Sequence, residues 1–255
     1  MAIVAVAGDA CTTTTVALAS AWPVTDDTIV IEADPSGGDL AAWFDMPSSP
    51  SLSTVVTTVL DGAWPDIERL ARMADTGVRV ITAPPSSREA AQAVSESGRS
   101  IVPTLATLRS PVVLVDTGRL QAAPAANPFV GSAAVTVLVH RQAAQSSRAA
   151  AVRLQRLADQ IEAITTLPTA VVVAVVGAVP FGLHEIESFL SESVGEQTVI
   201  GLPTDDLAAA VFGGRTGVSS RRLARLPLLK AGRDLAAATD RALGATVDGL
   251  WRSAR

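Results

Sequence analysis

A run of small and hydroxyl-bearing residues follows the apolar segment Ile3–Ala7 near the N-terminus. It reads Ala-Gly-Asp-Ala-Cys-Thr-Thr-Thr-Thr over Ala7–Thr15. Loops of this kind between a strand and a helix hold phosphate through backbone N–H groups. A lysine adds charge for the phosphates, and a Ser or Thr hydroxyl coordinates Mg²⁺. The segment therefore indicates phosphate-binding chemistry, although its lysine is missing.

Two carboxylates stand where they could serve the same site. Asp34 follows the apolar run Thr28–Glu32, and Asp116 follows Val112–Val115. Ligands of a parallel sheet lie at the carboxyl ends of its strands, where a carboxylate can contact Mg²⁺ through water. Each residue also has a purely structural interpretation, since Asp and Thr commonly cap helices or form turns.

Short apolar, β-branched runs recur with helix-length segments between them, which predicts one doubly wound α/β domain over residues 1–255. Its sheet is expected to be mostly parallel and seven-stranded, with helices on both faces. The predicted strands are Ile3–Ala7, Thr28–Glu32, Val78–Thr82, Val112–Val115, Val135–His140, Ala170–Val176 and Thr198–Gly201. The predicted helices are Thr12–Trp22, Trp64–Asp75, Gln145–Ile164 and, within the same domain, Leu228 to about Arg252.

Composition excludes several classes of function. The net charge is −5, which disfavours nucleic-acid binding over the whole surface. One cysteine and two histidines leave little for a transition-metal site, and we expect none. We interpret Cys11 as a buried thiol rather than a reactive one. No basic residue precedes the first apolar run, which is atypical of a secretory signal, so a cytoplasmic protein is expected.

Taken in order, these segments resemble the ParA/MinD family of P-loop ATPases. Glu32–Gly38 is similar to that family's Asp-x-Asp-Pro-Gln-Gly-Asn segment, and Val115–Thr117 to its Ile-Asp-Thr-Pro strand end. Gly201–Asp206 resembles its Pro-x-Asp segment near the nucleotide base. The shorter stretch Gly77–Pro84 is similar to a strand of the pilus-assembly branch typified by TadZ and CpaE.

The resemblance implies ATP and Mg²⁺ as ligands, with Asp34 as the catalytic residue that positions water. The implied Mg²⁺ ligands are Thr13, Asp34 and Asp116. The implied nucleotide-binding residues are Gly8, Asp9, Ala10, Cys11, Thr12, Thr13, Thr14, Asp116, Pro203 and Asp205.

The loop departs from the family pattern Lys-Gly-Gly-x-Gly-Lys-[Ser/Thr]-[Ser/Thr]. Ala7 and Thr12 stand in place of its two lysines, and Asp9 and Cys11 in place of two glycines. The chain's only lysine is Lys230. Each lost charge-assisted bond removes about 1.5–3 kcal/mol, and phosphoryl transfer depends on such charge. We therefore expect a degenerate ATP site with weak or absent hydrolysis. An active ATPase using an arginine instead of lysine is the alternative.

The family organises chromosome partitioning, septum placement, and pilus or secretion assembly, which implies a homodimer with a protein partner from such a system. In the related ATPases, bound nucleotide controls dimerisation, whereas a degraded loop implies a dimer that is constitutive or partner-controlled. The basic stripe Arg215–Arg233 could bind DNA or anionic lipid at the nucleoid or membrane, or be ordinary solvated charge. The last helix could touch membrane or pack on the sheet.

Overall fold

A computed structural model describes residues 3–23, 28–60, 67–105, 111–142 and 146–253. One eight-stranded sheet runs through it. The strands are β1 Ile3–Gly8, β2 Thr28–Glu32, β3 Arg72–Met73, β4 Arg79–Ile81, β5 Val112–Asp116, β6 Val135–Arg141, β7 Ala170–Val176 and β8 Thr198–Leu202.

The strand order across the sheet is β3-β4-β2-β5-β1-β6-β7-β8. Every neighbouring pair is parallel except β3 with β4. In β1, for example, Val6 lies opposite Asp116 of β5 and Gly8 opposite Val139 of β6. The strand order reverses at β1, so its carboxyl end is the topological switch point where ligands bind in open α/β sheets.

The predicted α/β class and the seven parallel strands are confirmed, and the edge strand β3 is an addition. The predicted helix Trp64–Asp75 is wrong at its C-terminal end, where Arg72 and Met73 form a hairpin with β4. Within this hairpin the N–H of Ala74 donates to Val78 O and that of Gly77 to Ala74 O. Gly77 has φ +81°, as a glycine-assisted hairpin turn requires.

Helices cover both faces of the sheet. They are α1 Cys11–Ala21, α2 Leu40–Trp43, α3 Leu52–Leu60, α4 Ile67–Leu70, α5 Ser87–Leu105, α6 Pro128–Gly131, α7 Ser147–Thr165, α8 Leu183–Val194, α9 Asp206–Phe212, α10 Ser220–Leu223 and α11 Pro227–Ser253. Alternation along β1 divides the core: Val4 and Val6 pack with residues of α1 and α11, whereas Ile3 and Ala5 pack with α3 and α5. Residues of α7 and α8 form a third cluster with Val173 of β7.

The last helix packs against the domain through its described side chains. Leu228, Leu229, Leu235 and Leu243 are buried in the same cluster as α1. Gly232 allows close approach, since a Cβ there would lie 3.3 Å from the Cβ of Ala21. The packing interpretation is therefore confirmed as far as Thr246, and the side chains beyond it lie outside the described ones. Among the described residues, no helix has both the length and the apolar character needed to cross a bilayer.

Gly8 is held between the two neighbours of β1. Its N–H donates to Gly118 O at 2.9 Å, and the next N–H, of Asp9, donates to Val139 O at 3.0 Å. Gly8 has φ +116°, and a Cβ there would lie 2.2 Å from Val139 O. Only glycine fits, because any side chain would meet both an unfavourable backbone conformation and a fixed carbonyl.

Gly8→Ala is therefore expected to lower the free energy of unfolding by at least about 3 kcal/mol. Gly77→Ala is the matched control: Gly77 also has positive φ but has open space around it. That change should cost only about 1–2 kcal/mol. Urea denaturation of both variants measures the difference, and equal losses would show that contact with Val139 contributes nothing.

Candidate functional site

The carboxyl ends of β1, β2 and β5 bring the predicted site residues to one edge of the sheet. The loop after β1 enters α1 through Ala10, which has φ +57° and is not capped by a side chain. Thr14 donates its hydroxyl to Ala10 O and Thr15 donates to Cys11 O, both at 2.9 Å. Thr13, in the first turn of α1, is half-buried. Of the hydroxyls in this turn, those of Thr14 and Thr15 are thus occupied by the helix backbone.

Asp116 lies fully buried at the end of β5, close to the start of α1. Its Oδ1 accepts the N–H of Gly118 at 3.1 Å, whereas Oδ2 is buried and accepts no hydrogen bond of good geometry from the described residues. Burial raises the pKa of Asp116, and the nearby Thr12 hydroxyl and Cys11 thiol oppose that rise. The orphaned oxygen is a position where a cation or water would be stabilised.

Cys11 occupies a position where the family pattern has glycine, and its side chain lies beside Asp116. Burial raises the pKa of this thiol far above its usual range, and the neighbouring Asp116 carboxyl adds to the rise. The prediction of a buried thiol is confirmed. A thiol with so high a pKa is neither a nucleophile nor a charge-bearing phosphate ligand at neutral pH.

Asp34 is brought to the same edge by the loop after β2. Its Oδ1 accepts the N–H of Ser36 at 2.7 Å. Its carboxyl group lies against Gly118, where an added Cβ would lie 2.3 Å from Asp34 Oδ2. The structure thus gathers Asp34, Asp116 and the start of α1 as the sequence predicts, and assigning Asp34 a catalytic role stays a prediction.

Asp9, where the family pattern has a second glycine, forms an ion pair with Arg153 of α7 through Asp9 Oδ2 and Arg153 Nη2. Both side chains are about 30% exposed. The pair crosses the mouth of the loop from a helix that lies more than a hundred residues away in the chain. The Asp9 carboxylate thus has a counter-ion within the chain.

A cavity of about 630 Å³ opens beside this ion pair. The loop after β1, the residues after β5 and the face of α7 enclose it, and its polar lining includes Arg119, His140, Arg153, Arg156 and Gln160. Burial lowers the pKa of His140, and Arg153 lowers it further while Asp9 opposes. Among the described residues, the lining therefore carries three guanidinium groups and one carboxylate, with a neutral imidazole at neutral pH.

Glu32 closes the loop between β2 and α2. Its Oε1 accepts the N–H groups of Asp39 and Leu40 at 2.8 and 2.9 Å, and its Oε2 accepts that of Ala83 at 2.9 Å. Burial raises the pKa of Glu32 to about 7, although these three hydrogen bonds act to lower it. Glu32 thus ties three segments together and holds the loop that carries Asp34.

Pro203 follows β8 at the same end of the sheet, and Asp205 caps two helices. The Asp205 carboxylate accepts the N–H of Ala208 at 2.9 Å and that of Leu228 at 3.1 Å. These contacts fix the starts of α9 and α11. A contact of Pro203 or Asp205 with nucleotide stays a prediction.

The basic stripe is exposed at each of its charged side chains, which are Arg215, Arg221, Arg222, Arg225, Lys230 and Arg233. Exposure is compatible with solvated charge and with binding of an anionic surface alike. Within the described ranges, no group of three His, Cys, Asp or Glu side chains could hold a metal ion.

The residues present fit the part of a nucleotide site that holds Mg²⁺ better than the part that holds the phosphates. The orphaned Asp116 oxygen and the hydroxyl of Thr13 suit Mg²⁺. In contrast, the N–H groups of Gly8 and Asp9 are bonded to protein carbonyls, and Thr12 brings no charge where lysine is expected. At this position the loop therefore offers a phosphate less positive charge than the family pattern does.

Neither a protein-family model nor a curated protein matches this sequence. Solved structures do match. MinD, a cell division ATPase of Pyrococcus furiosus, has 15% sequence identity and a TM-score of 0.66, and the match covers 98% of this chain and 100% of that one. A ParA family ATPase of Chlorobium tepidum TLS has 14% identity and a TM-score of 0.66, with 92% and 97% of the two chains covered. The chain has the ParA/MinD P-loop fold.

The same fold also serves other chemistry. Cobyrinic acid a,c-diamide synthase of Mycobacterium smegmatis, solved with a bound ATP analogue and magnesium, matches with 17% identity and a TM-score of 0.56, over 100% of this chain and 97% of that one. Since one fold hosts a division ATPase and a synthase, the function of this chain must be argued from its own residues.

Sequence reasoning missed the arginines of the cavity. Arg153 and Arg156 lie on α7 with Ala149 and Gln160, and the spacing of four, three and four residues places all of them on one helix face. This pattern was readable, but nothing in it indicated which loop the face would meet. The role of Glu32 was equally hidden, because its partner Ala83 follows a different strand.

The raised pKa of Glu32 predicts a pH dependence of stability. An acid with a folded-state pKa of about 7 and an ordinary value of 4.5 binds more protons in the folded state. Its contribution is present below pH 4.5 and is lost as pH rises to about 7, at a cost of roughly 3 kcal/mol. Urea unfolding of Glu32→Gln measured across this range should lack that loss. The variant should be less stable at pH 5, since an amide cannot accept from all three N–H groups.

The difference between wild type and variant isolates Glu32, because the buried Asp116 titrates in both proteins. A difference in unfolding free energy that stays constant from pH 5 to 8 would contradict the assigned protonation.

Proposed function

We propose that this protein is a ParA/MinD-like spatial or assembly regulator that acts through protein contacts and does not turn over ATP. The systems it could serve are chromosome partitioning, septum placement, and pilus or secretion assembly. The observation that carries the proposal is the Asp9–Arg153 ion pair at the mouth of the loop. In this pair Asp9 neutralises the guanidinium group of Arg153, as a bound phosphate would otherwise do.

Two further observations support a site without turnover. Phosphoryl transfer is catalysed mainly by positioned positive charge, whereas the centre here is formed by Asp116, Asp34 and an uncharged Cys11. In addition, the N–H groups of Gly8 and Asp9 donate to Gly118 O and Val139 O, which occupies both donors.

A self-supporting loop also suggests how the protein assembles. We propose a homodimer whose formation is constitutive or set by a protein partner, rather than by nucleotide. The basic stripe Arg215–Arg233 is the surface we assign to a partner, to DNA or to anionic lipid, and the protein would work in the cytoplasm, at the nucleoid or at the membrane surface.

A second function has one specific observation in its favour. Arg153 stands at the loop that lacks its lysines, so an ATPase that uses arginine would employ this residue. Its guanidinium is already held by Asp9, which makes the alternative the weaker of the two.

Calorimetric titration with Mg²⁺-ATP is expected to show no binding at micromolar affinity, since two lysines are missing and each contributed about tenfold or more. The combined change Asp9→Gly, Cys11→Gly and Thr12→Lys should restore binding by at least about tenfold. Asp9→Gly alone is the control, because it frees Arg153 without adding a lysine. Micromolar binding by the wild type would overturn the proposal, and turnover that Asp34→Ala abolishes would support the ATPase.

The mass in solution tests the proposed assembly. Light scattering after size exclusion should give the mass of a dimer, and adding Mg²⁺-ATP should leave it unchanged. A monomer that dimerises only with Mg²⁺-ATP would instead restore nucleotide control and argue for the ATPase.

A further inference from the structure

A second cavity, of about 220 Å³, lies where the end of α2, the β3–β4 hairpin and the loop after α9 meet. Its lining includes Trp43, Phe44 and Val218, together with Asp45 and Asp75. The hairpin turn precedes β4, so it lies at the amino end of that strand, whereas the nucleotide position lies at the carboxyl ends of β1, β2 and β5. None of the residues assigned above to nucleotide or Mg²⁺ is part of this lining.

The aromatic wall of this cavity is fixed by packing and by backbone contact. Trp43 ends α2, Phe44 follows it, and both pack against the core cluster that contains residues of α1 and α11. Gly214, in the loop after α9, has φ +68°, and a Cβ there would lie 2.0 Å from Trp43 O. The loop therefore touches the end of α2 directly, and the cavity is formed by the fold itself.

The charge of the lining is negative. Asp45 and Asp75 are exposed and make no ion pair or side-chain hydrogen bond within the part of the chain that the structure describes. Among the described residues, the lining has no basic side chain, since Arg215, which follows Gly214, is not part of it. Two carboxylates therefore stand at this cavity without a counter-ion.

The hydroxyl of Thr76 adds an unused acceptor. Thr76 belongs to the lining, and its Oγ1 is buried without a hydrogen-bond partner among the described residues. Buried polar atoms in folded proteins nearly always have such a partner. Rotation about χ1 would exchange the hydroxyl with the methyl group and turn it towards the cavity, where an N–H group of a ligand could donate to it.

Charge, walls and size together define the class of ligand. The faces of aromatic rings attract cations, and so do unpaired carboxylates. The apolar side chains of Val211, Val218 and Leu223 favour an aliphatic stem between the charges. A volume of about 220 Å³ suits a molecule smaller than most drug-sized ligands.

We propose that this cavity binds a small aliphatic diamine with two positive charges. Its ammonium groups pair with Asp45 and Asp75, and its stem lies on Trp43 and Phe44. The second carboxylate is the reason for a second charge, because a monoamine would leave one of the two unpaired. This activity goes beyond the proposed regulatory function and uses none of the residues on which that function rests.

Calorimetry with 1,4-diaminobutane tests the site. Wild type should bind with a dissociation constant at or below about 1 mM, and Asp45→Asn and Asp75→Asn should each weaken binding about three- to fivefold. Asp45 has φ +49°, which asparagine tolerates as aspartate does, so Asp45→Asn removes only the charge. Asp240→Asn is the matched control, since Asp240 is exposed on α11 outside the lining, and it should bind as wild type does.

Two further measurements separate cation recognition from simple filling of an apolar cavity. 1,4-Butanediol has the same stem without charge and should show no binding at about 10 mM. Thr76→Val should weaken diamine binding about twofold without lowering the thermal midpoint, because the hydroxyl that it removes has no partner in the fold.

Tryptophan fluorescence reports where the diamine binds. The emission of the wild type should change on binding, because Trp43 lines the cavity. Trp43→Phe keeps an aromatic wall, so it should bind within about twofold of wild type but lose the emission change. A change that survives in Trp43→Phe would place the amine elsewhere and overturn the proposal.

The proposal would also be overturned by equal weakening in Asp240→Asn, by butanediol binding as tightly as the diamine, or by no saturable binding of the diamine up to about 10 mM. Thermal melting monitored by circular dichroism confirms that each variant is folded. The result of the Mg²⁺-ATP titration does not bear on this cavity, so this proposal and the proposed function fail separately.

Discussion

The attachment of Gly8 to both neighbours of β1 is the constraint on which the rest of the site depends. The central strand ends between β5 and β6, and its last residue and the next donate hydrogen bonds to Gly118 O and Val139 O. With φ +116° and no room for a Cβ, Gly8 fixes where the loop turns. The start of α1 is consequently held over the ends of β5 and β2, whatever residues fill the loop.

This constraint positions the loop through strand pairing, independently of which side chains the loop carries. Cys11 then fills space beside Asp116, and Asp9 turns outward to pair with Arg153. Acidic side chains therefore lie at the centre of the site and arginines lie at its rim, whereas the family pattern has lysines in the loop itself.

Burying the carboxyl groups of Glu32 and Asp116 costs free energy, and hydrogen bonds within the fold offset this cost more fully for Glu32 than for Asp116. Glu32 receives three backbone N–H groups, whereas Oδ2 of Asp116 accepts no hydrogen bond of good geometry from the described residues. Burial dominates in both and raises both pKa values. An orphaned oxygen of this kind is unusual in a folded protein and marks functional positions more often than structural ones.

The sequence by itself determined the seven parallel strands and their order along the chain, and some of the helices between them. Alternating or continuous apolar runs fixed seven strands within one or two residues of their bounds, because burial on both faces of a parallel sheet requires such runs. The order of those strands placed the loop after β1, Asp34 and Asp116 at one edge. The local sequence did not predict the hairpin at Arg72, because the apolar residues there have helical spacing whereas Arg72 pairs with β4 in the structure. Only the tertiary structure decided which charges meet. Asp9 and Arg153 are 144 residues apart, and their contact depends on how α7 packs on the sheet, which no local pattern encodes.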